Sequence, residues 1–160
     1  MGFAIYPFFV VCFLLGLVAE MTQQADALPG AGLAGAMENR AQQRAKAAEV
    51  YAAACVEAAL AAAGTVSSAL SVTAYLPTGV KAPTSAGCMT TSASSGRNVF
   101  AYVPTLAGVA GHIRQDTEED LSWYRVSSSG IGINLVTGSS AAISTSIPTG
   151  TVVKWVVASS

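Results

Sequence analysis

The stretch from Met1 to Ala19 carries no charged side chain, and Glu20 ends it. Its residues are Met-Gly-Phe-Ala-Ile-Tyr-Pro-Phe-Phe-Val-Val-Cys-Phe-Leu-Leu-Gly-Leu-Val-Ala. Coiled as a helix, the run would extend roughly 28 Å at about 1.5 Å per residue. The hydrocarbon core of a bilayer is about 30 Å thick, so the run is just long enough to span it. The expected organisation is a transmembrane anchor over residues 1–20, a linker over 21–36 and one α+β domain over 37–160. A chain of 160 residues leaves room for little more than one compact domain beyond the anchor.

A secretory signal has a basic start, an apolar run of about 7–15 residues and a small-residue cleavage site. No Lys or Arg precedes Arg40, and the apolar run exceeds that length. Ala25-Asp26-Ala27 resembles a cleavage site but lies beyond the end of the run. An uncleaved anchor is therefore the reading. The alternative is a small secreted binding or hydrolase domain whose segment Met1–Ala27 is a cleaved signal. Both flanks of the run lack basic residues, so charge does not orient the chain in a membrane. Charged residues make up 11% of the chain and the net charge is −1. No electrostatic footprint for nucleic acid exists.

Leu28-Pro29-Gly30-Ala31-Gly32 breaks the chain between anchor and body. Met37 to Ala63 contains no Pro or Gly, is rich in Ala, Glu, Arg, Gln and Lys, and stops at Gly64. It reads as a long helix. Ala41, Ala45, Ala48, Ala52, Cys55, Ala59 and Ala62 fall at three- and four-residue steps. They make a face of small side chains that lets another element, or a partner, approach closely.

From Ser67 onward Ser, Thr, Gly and Val dominate, a strand composition. Strands are expected over Ala69–Tyr75, Asn98–Val103, Ser122–Ser127, Ile131–Val136 and Val152–Val157. A loop containing Cys88 is expected through Gly96, and a short helix over Thr105–Gln115. The resulting class is α+β, a long helix followed by a mostly antiparallel sheet.

Cys12 lies in the apolar run, leaving Cys55 and Cys88 in the body. The reading is a Cys55–Cys88 disulfide in an exported domain, the alternative being two free buried thiols in a cytosolic one. His112 is the lone histidine, so no metal set with Cys and His ligands is present, and its place in the short helix is that of a surface or capping residue. Asp116, Glu118, Glu119 and Asp120 lack the spacing of a calcium loop and read as a solvated turn. Gly130-Ile131-Gly132 is followed by neither helix nor lysine, as a phosphate loop requires. No nucleophile motif occurs, so neither catalysis, a cofactor nor a small-molecule substrate is expected. Trp123, Tyr124 and Trp155 read first as core and sheet aromatics, the main apolar burial of a small domain; with Tyr51 they are also the candidate partner-contact residues. Strand alternation puts Trp123 and Tyr124 on opposite faces.

The segment Asn39 to Tyr51, together with Tyr124-Arg125-Val126, Gly130 to Val136 and Ile147-Pro148-Thr149-Gly150-Thr151-Val152-Val153, resembles the PilM family of type IVB (thin) pilus systems on conjugative plasmids. The layout as a whole is pilin-like. The resemblance implies a non-enzymatic pilus-biogenesis component of the bacterial inner membrane. Its single-pass anchor would leave the C-terminal domain in the periplasm, and its partners would be pilins, other assembly proteins and the lipid bilayer. A minor pilin or pseudopilin built into the filament is the alternative. Gly2-Phe3 mimics a prepilin cleavage junction, but no leader precedes it, and Pro7 stands where prepilins carry glutamate.

Overall fold

In a computed structural model of the chain, residues 32–159 are described. The anchor expected over Met1–Ala19 and most of the expected linker lie outside these residues. Among the described residues, no helix is long and apolar enough to cross a membrane. The chain divides into two units, residues 1–40 and 41–160, and the α+β body belongs to the second.

Helix α1 spans Leu33–Ala61, beginning four residues inside the stretch read as linker. Its Ala-rich composition favours the helix throughout, and Gly64 follows its end in the left-handed conformation, φ +73°. The small-residue face is buried as far as Ala59: Ala45, Ala48, Cys55 and Ala59 are each fully inaccessible. Ala62, the last of the expected stripe, is only half-buried. That face packs on the protein's own sheet with Val99, Ala101, Val103, Trp123 and Val152. It is therefore not free to receive a partner.

The sheet comprises β1 (Gly87–Ala93), β2 (Gly96–Pro104), β3 (Trp123–Ser128), β4 (Ile131–Asn134), β5 (Ser140–Ala142) and β6 (Thr151–Ala158). Their order is β1-β2-β6-β3-β4-β5, with every pairing antiparallel. Alternation along β2 sends Val99, Ala101 and Val103 toward α1, and Phe100 and Tyr102 to the opposite face. Helix α2 (Val109–Asp116) turns Val109 and Ile113 into the core. Lys46 on α1 reaches Asp116 at the end of α2 across 3.1 Å.

Two sequence expectations are corrected. Ala69–Tyr75 is not a strand: it contributes a single 3-10 turn, Thr73–Tyr75. The backbone just before it edges the sheet instead. Ser67 exchanges both hydrogen bonds with Thr90, and the Leu70 amide donates to the Cys88 carbonyl at 2.8 Å. This cover satisfies part of the open edge of β1. The expected loop around Cys88 is in fact β1, running antiparallel to β2 from Gly87↔Tyr102 to Ala93↔Gly96.

Cys55 and Cys88 are joined by a disulfide, with Cα atoms 5.6 Å apart, tying α1 to β1 across 33 residues. At the other end of the contact, Arg97 is 3% exposed. Its Nη1 donates to the carbonyls of Ala62 (2.9 Å) and Thr65 (3.0 Å), and its Nη2 to that of Ala59 (2.9 Å). The guanidinium thus satisfies carbonyls left open where the helix ends, where a cation also complements the helix dipole.

Replacing both cysteines by alanine lowers the unfolding free energy by about 3–4 kcal/mol through lost loop closure, measurable by urea titration of the oxidised protein. Arg97→Leu lowers it by about 1–3 kcal/mol, because the Ala59 carbonyl loses its donor while those of Ala62 and Thr65 keep only the Thr65 amide and the Thr90 hydroxyl. Arg97→Lys recovers only part of that loss in the same titration, since an ammonium lacks the planar fork.

Candidate functional site: the outer sheet face and the β1 edge

The face turned away from α1 is built by strand pairing. Phe100 lies across from Trp155, while Val153 of β6 pairs with Tyr102 on one side and Tyr124 on the other. The Trp155 ring lies 5.6 Å, centroid to centroid, from both Phe100 and Tyr124, tilted 31° and 49° to them. Such tilted pairs are favoured over face-to-face stacking. The indole N–H of Trp155 donates to Oδ1 of Asn98 at 3.0 Å, which fixes the ring. Met89, Val126 and Val153 are buried beneath, and Ile143 and Ile147 close one side. The positions making this face (Met89, Thr91, Asn98, Phe100, Tyr102, Tyr124, Val126, Val153, Trp155 and Val157) include no charged side chain. Tyr124 and Trp155 are half-buried at its surface, and Val157 is exposed.

Of the four candidate contact aromatics, the structure brings together only Tyr124 and Trp155. Tyr51 and Trp123 are 3% and 2% exposed, and both belong to the core beneath α1. Their large side chains supply volume that the alanines around them lack, Trp123 as a core aromatic and Tyr51 buried except where it borders the cleft at the β1 edge. Trp123 and Tyr124 do face opposite ways, as alternation requires.

A second feature lies at the β1 edge, a cleft of about 340 Å³ lined by Tyr51, Tyr102, Ser68, Ser71, Gly87 and Cys88 among others. Any Cβ on Gly87 would collide with the Tyr102 ring, so glycine is what lets that ring cross over the strand. Burial raises the Tyr51 hydroxyl above its ordinary pKa, and the neighbouring Tyr102 adds to the effect. The lining holds hydroxyls and backbone but no carboxylate, imidazole or amine. Such a lining suits a side chain or a neutral group.

Three of the four acidic residues between Asp116 and Asp120 are bound to cations or amides of the protein itself. Asp116 pairs with Lys46 at 3.1 Å, and Glu119 meets Arg114 at 3.8 Å. Asp120 accepts from Lys154 Nζ at 2.9 Å, from the Ser122 amide at 2.9 Å and from the Ser122 hydroxyl at 2.8 Å. Lys154 also sits 5.4 Å from the centre of the Trp123 ring. Partial burial pushes the Asp120 carboxyl up, but the Ser122 and Lys154 contacts outweigh it and hold the group below its ordinary pKa. Glu118 and Glu119 adopt positive φ, 51° and 63°, where the chain reverses toward β3. His112 lies half-buried on α2. Among the described residues, no group of three or more His, Cys, Asp or Glu could hold a metal ion.

Sequence reasoning missed Asn98, Phe100 and Met89 as parts of the aromatic face. The signal for Phe100 was present, since it alternates with Val99 and Ala101 in a strand correctly anticipated. Nothing local marks Asn98 as the partner of an indole 57 residues away.

No protein-family profile matches the sequence, and no curated protein matches it. A crystal structure of a protein designated PilM from Escherichia coli B7A is similar in fold. Its TM-score is 0.50 at 18% sequence identity, and the likeness covers 73% of this chain and 91% of that one.

Asp120 contributes stability that is fully present above its unfolded pKa of about 3.8. That stability is lost as pH falls through the lower folded value. The melting temperatures of the wild type and Asp120→Asn therefore differ near neutrality and converge in acid, which a series of thermal melts across that range reads directly.

Proposed function

We propose that this chain is a component of type IV pilus biogenesis in conjugation, working through protein–protein contacts rather than catalysis. The observation that carries the reading is the fold likeness to PilM, which extends over 91% of that protein. The apolar run Met1–Ala19 supports retention in the inner membrane by a single pass. The Cys55–Cys88 disulfide supports a periplasmic place for the body, because such bonds persist in oxidising compartments.

The contact surface is the uncharged aromatic face. Trp155 has its N–H satisfied by Asn98, so it presents a fixed ring rather than a polar group seeking water. Fixed, partly exposed aromatics are the usual anchors of protein interfaces. A pilin or another assembly protein with an apolar, uncharged counterpart fits this face.

Deleting the chain from a donor strain that makes type IV pili should abolish surface pili and plasmid transfer, with the wild-type chain restoring both. Normal pili and transfer in the deletion strain would overturn the reading. The double variant Tyr124→Ala, Trp155→Ala should keep its disulfide and helical circular dichroism while weakening partner binding by about tenfold or more.

A further inference from the structure

The first two turns of α1 carry a short stripe that no function described above uses. Leu33 and Met37 are 80% and 59% exposed and stand one turn apart on the same side of the helix. Arg40 follows at the next three-residue step and is exposed, with no ion pair among the described residues. Ala34, Gly35 and Ala36 separate the two large apolar side chains, so no bulk stands between the helix axis and a flat surface. Glu38, the carboxylate nearest in sequence, lies about 100° around the helix from Met37.

The chain outside the described residues names the surface. Between the apolar run ending at Ala19 and Leu33 stand only residues 20–32, which span at most roughly 45 Å when fully extended. The helix start is thus tethered close to whatever holds Met1–Ala19. We infer that Leu33–Arg40 lies on the bilayer surface, with Leu33 and Met37 in the headgroup boundary and Arg40 reaching a lipid phosphate. This rests on the reading of Met1–Ala19 as a membrane anchor. An amphipathic helix start of this kind buries its apolar side chains at the boundary, while a long cationic side chain extends back to the headgroups.

The test uses the full chain in vesicles of phosphatidylcholine and phosphatidylglycerol. In a Cys12→Ser background that keeps the Cys55–Cys88 disulfide, a polarity-sensitive fluorophore is attached through Met37→Cys, or through Glu57→Cys as an exposed control on the same helix. Flotation with the vesicles reports on the anchor, and quenching by bromine-substituted acyl chains reports on the inference. Co-flotation is expected, with the label at position 37 quenched several-fold more than that at position 57, and Arg40→Gln reducing the difference. If the protein floats but both labels are equally unquenched, the lipid contact is overturned while the anchor stands. Cross-linking of two copies through Met37→Cys without quenching would overturn it in favour of a helix pair. Failure to float would overturn the anchor and this inference together.

Discussion

The body of this protein depends on how closely α1 can approach the sheet. Ala45, Ala48, Cys55 and Ala59 bring only small side chains to the contact, and each is wholly shielded. A methyl group buries little area, so a face of alanines contributes less apolar burial than one of leucines. Its advantage is proximity: the backbones come near enough for Cys55 and Cys88 to bond with Cα atoms 5.6 Å apart. Tyr51 and Trp123 supply the volume that the alanines lack. The helix is then located by two fixed points rather than by interdigitation along its length. One is the disulfide; the other is the Arg97 fork on the last carbonyls.

Spending one sheet face on the helix leaves the other to organise itself. It does so with aromatic rings and a strap, Ile143 and Ile147 folding over Val126 and Val153. A small second core results, and Trp155 and Tyr124 roof it at the surface. Charge is confined elsewhere: Lys154 and Asp120 meet near Trp123, on the α1 side. This separation gives the two faces different chemistry, one closed and stapled, the other uncharged and available.

The long helix, the hairpin at Ser-Ser-Gly, the last strand and the α+β class were all legible, because each has a strong local signature. Helix formers without Gly or Pro mark the first, and alternating Val and aromatic residues mark the strands. Strand β1 was not legible: Gly87-Cys88-Met89-Thr90-Thr91-Ser92-Ala93 is small and polar, and its pairing partner decides its state. Ala69–Tyr75 erred the other way, since β-prone residues there met an edge already forming with Ser67. Arg97 shares the parity of Val99, Ala101 and Val103, which points it inward. Its reason for being there, a helix end far away in sequence, leaves no local trace. For the same cause, four candidate contact aromatics could be named but not sorted. Burial of Tyr51 and Trp123 against exposure of Tyr124 and Trp155 follows from which sheet face the helix covers.

The placement of the sulfurs also bears on the order in which this protein can mature. Cys55 and Cys88 are 0% and 2% exposed, beneath the helix and behind the first strand. Cys88 borders the β1-edge cleft but Cys55 meets no solvent, so exchange, which needs access to the sulfur attacked, is hindered in the folded body. The bond closes most readily before the alanine face has settled on the sheet. Once the helix docks, the same enclosure hinders reductants. Oxidation thus belongs with the folding of this chain rather than after it, and whatever supplies it acts most readily on the polypeptide before its body is complete.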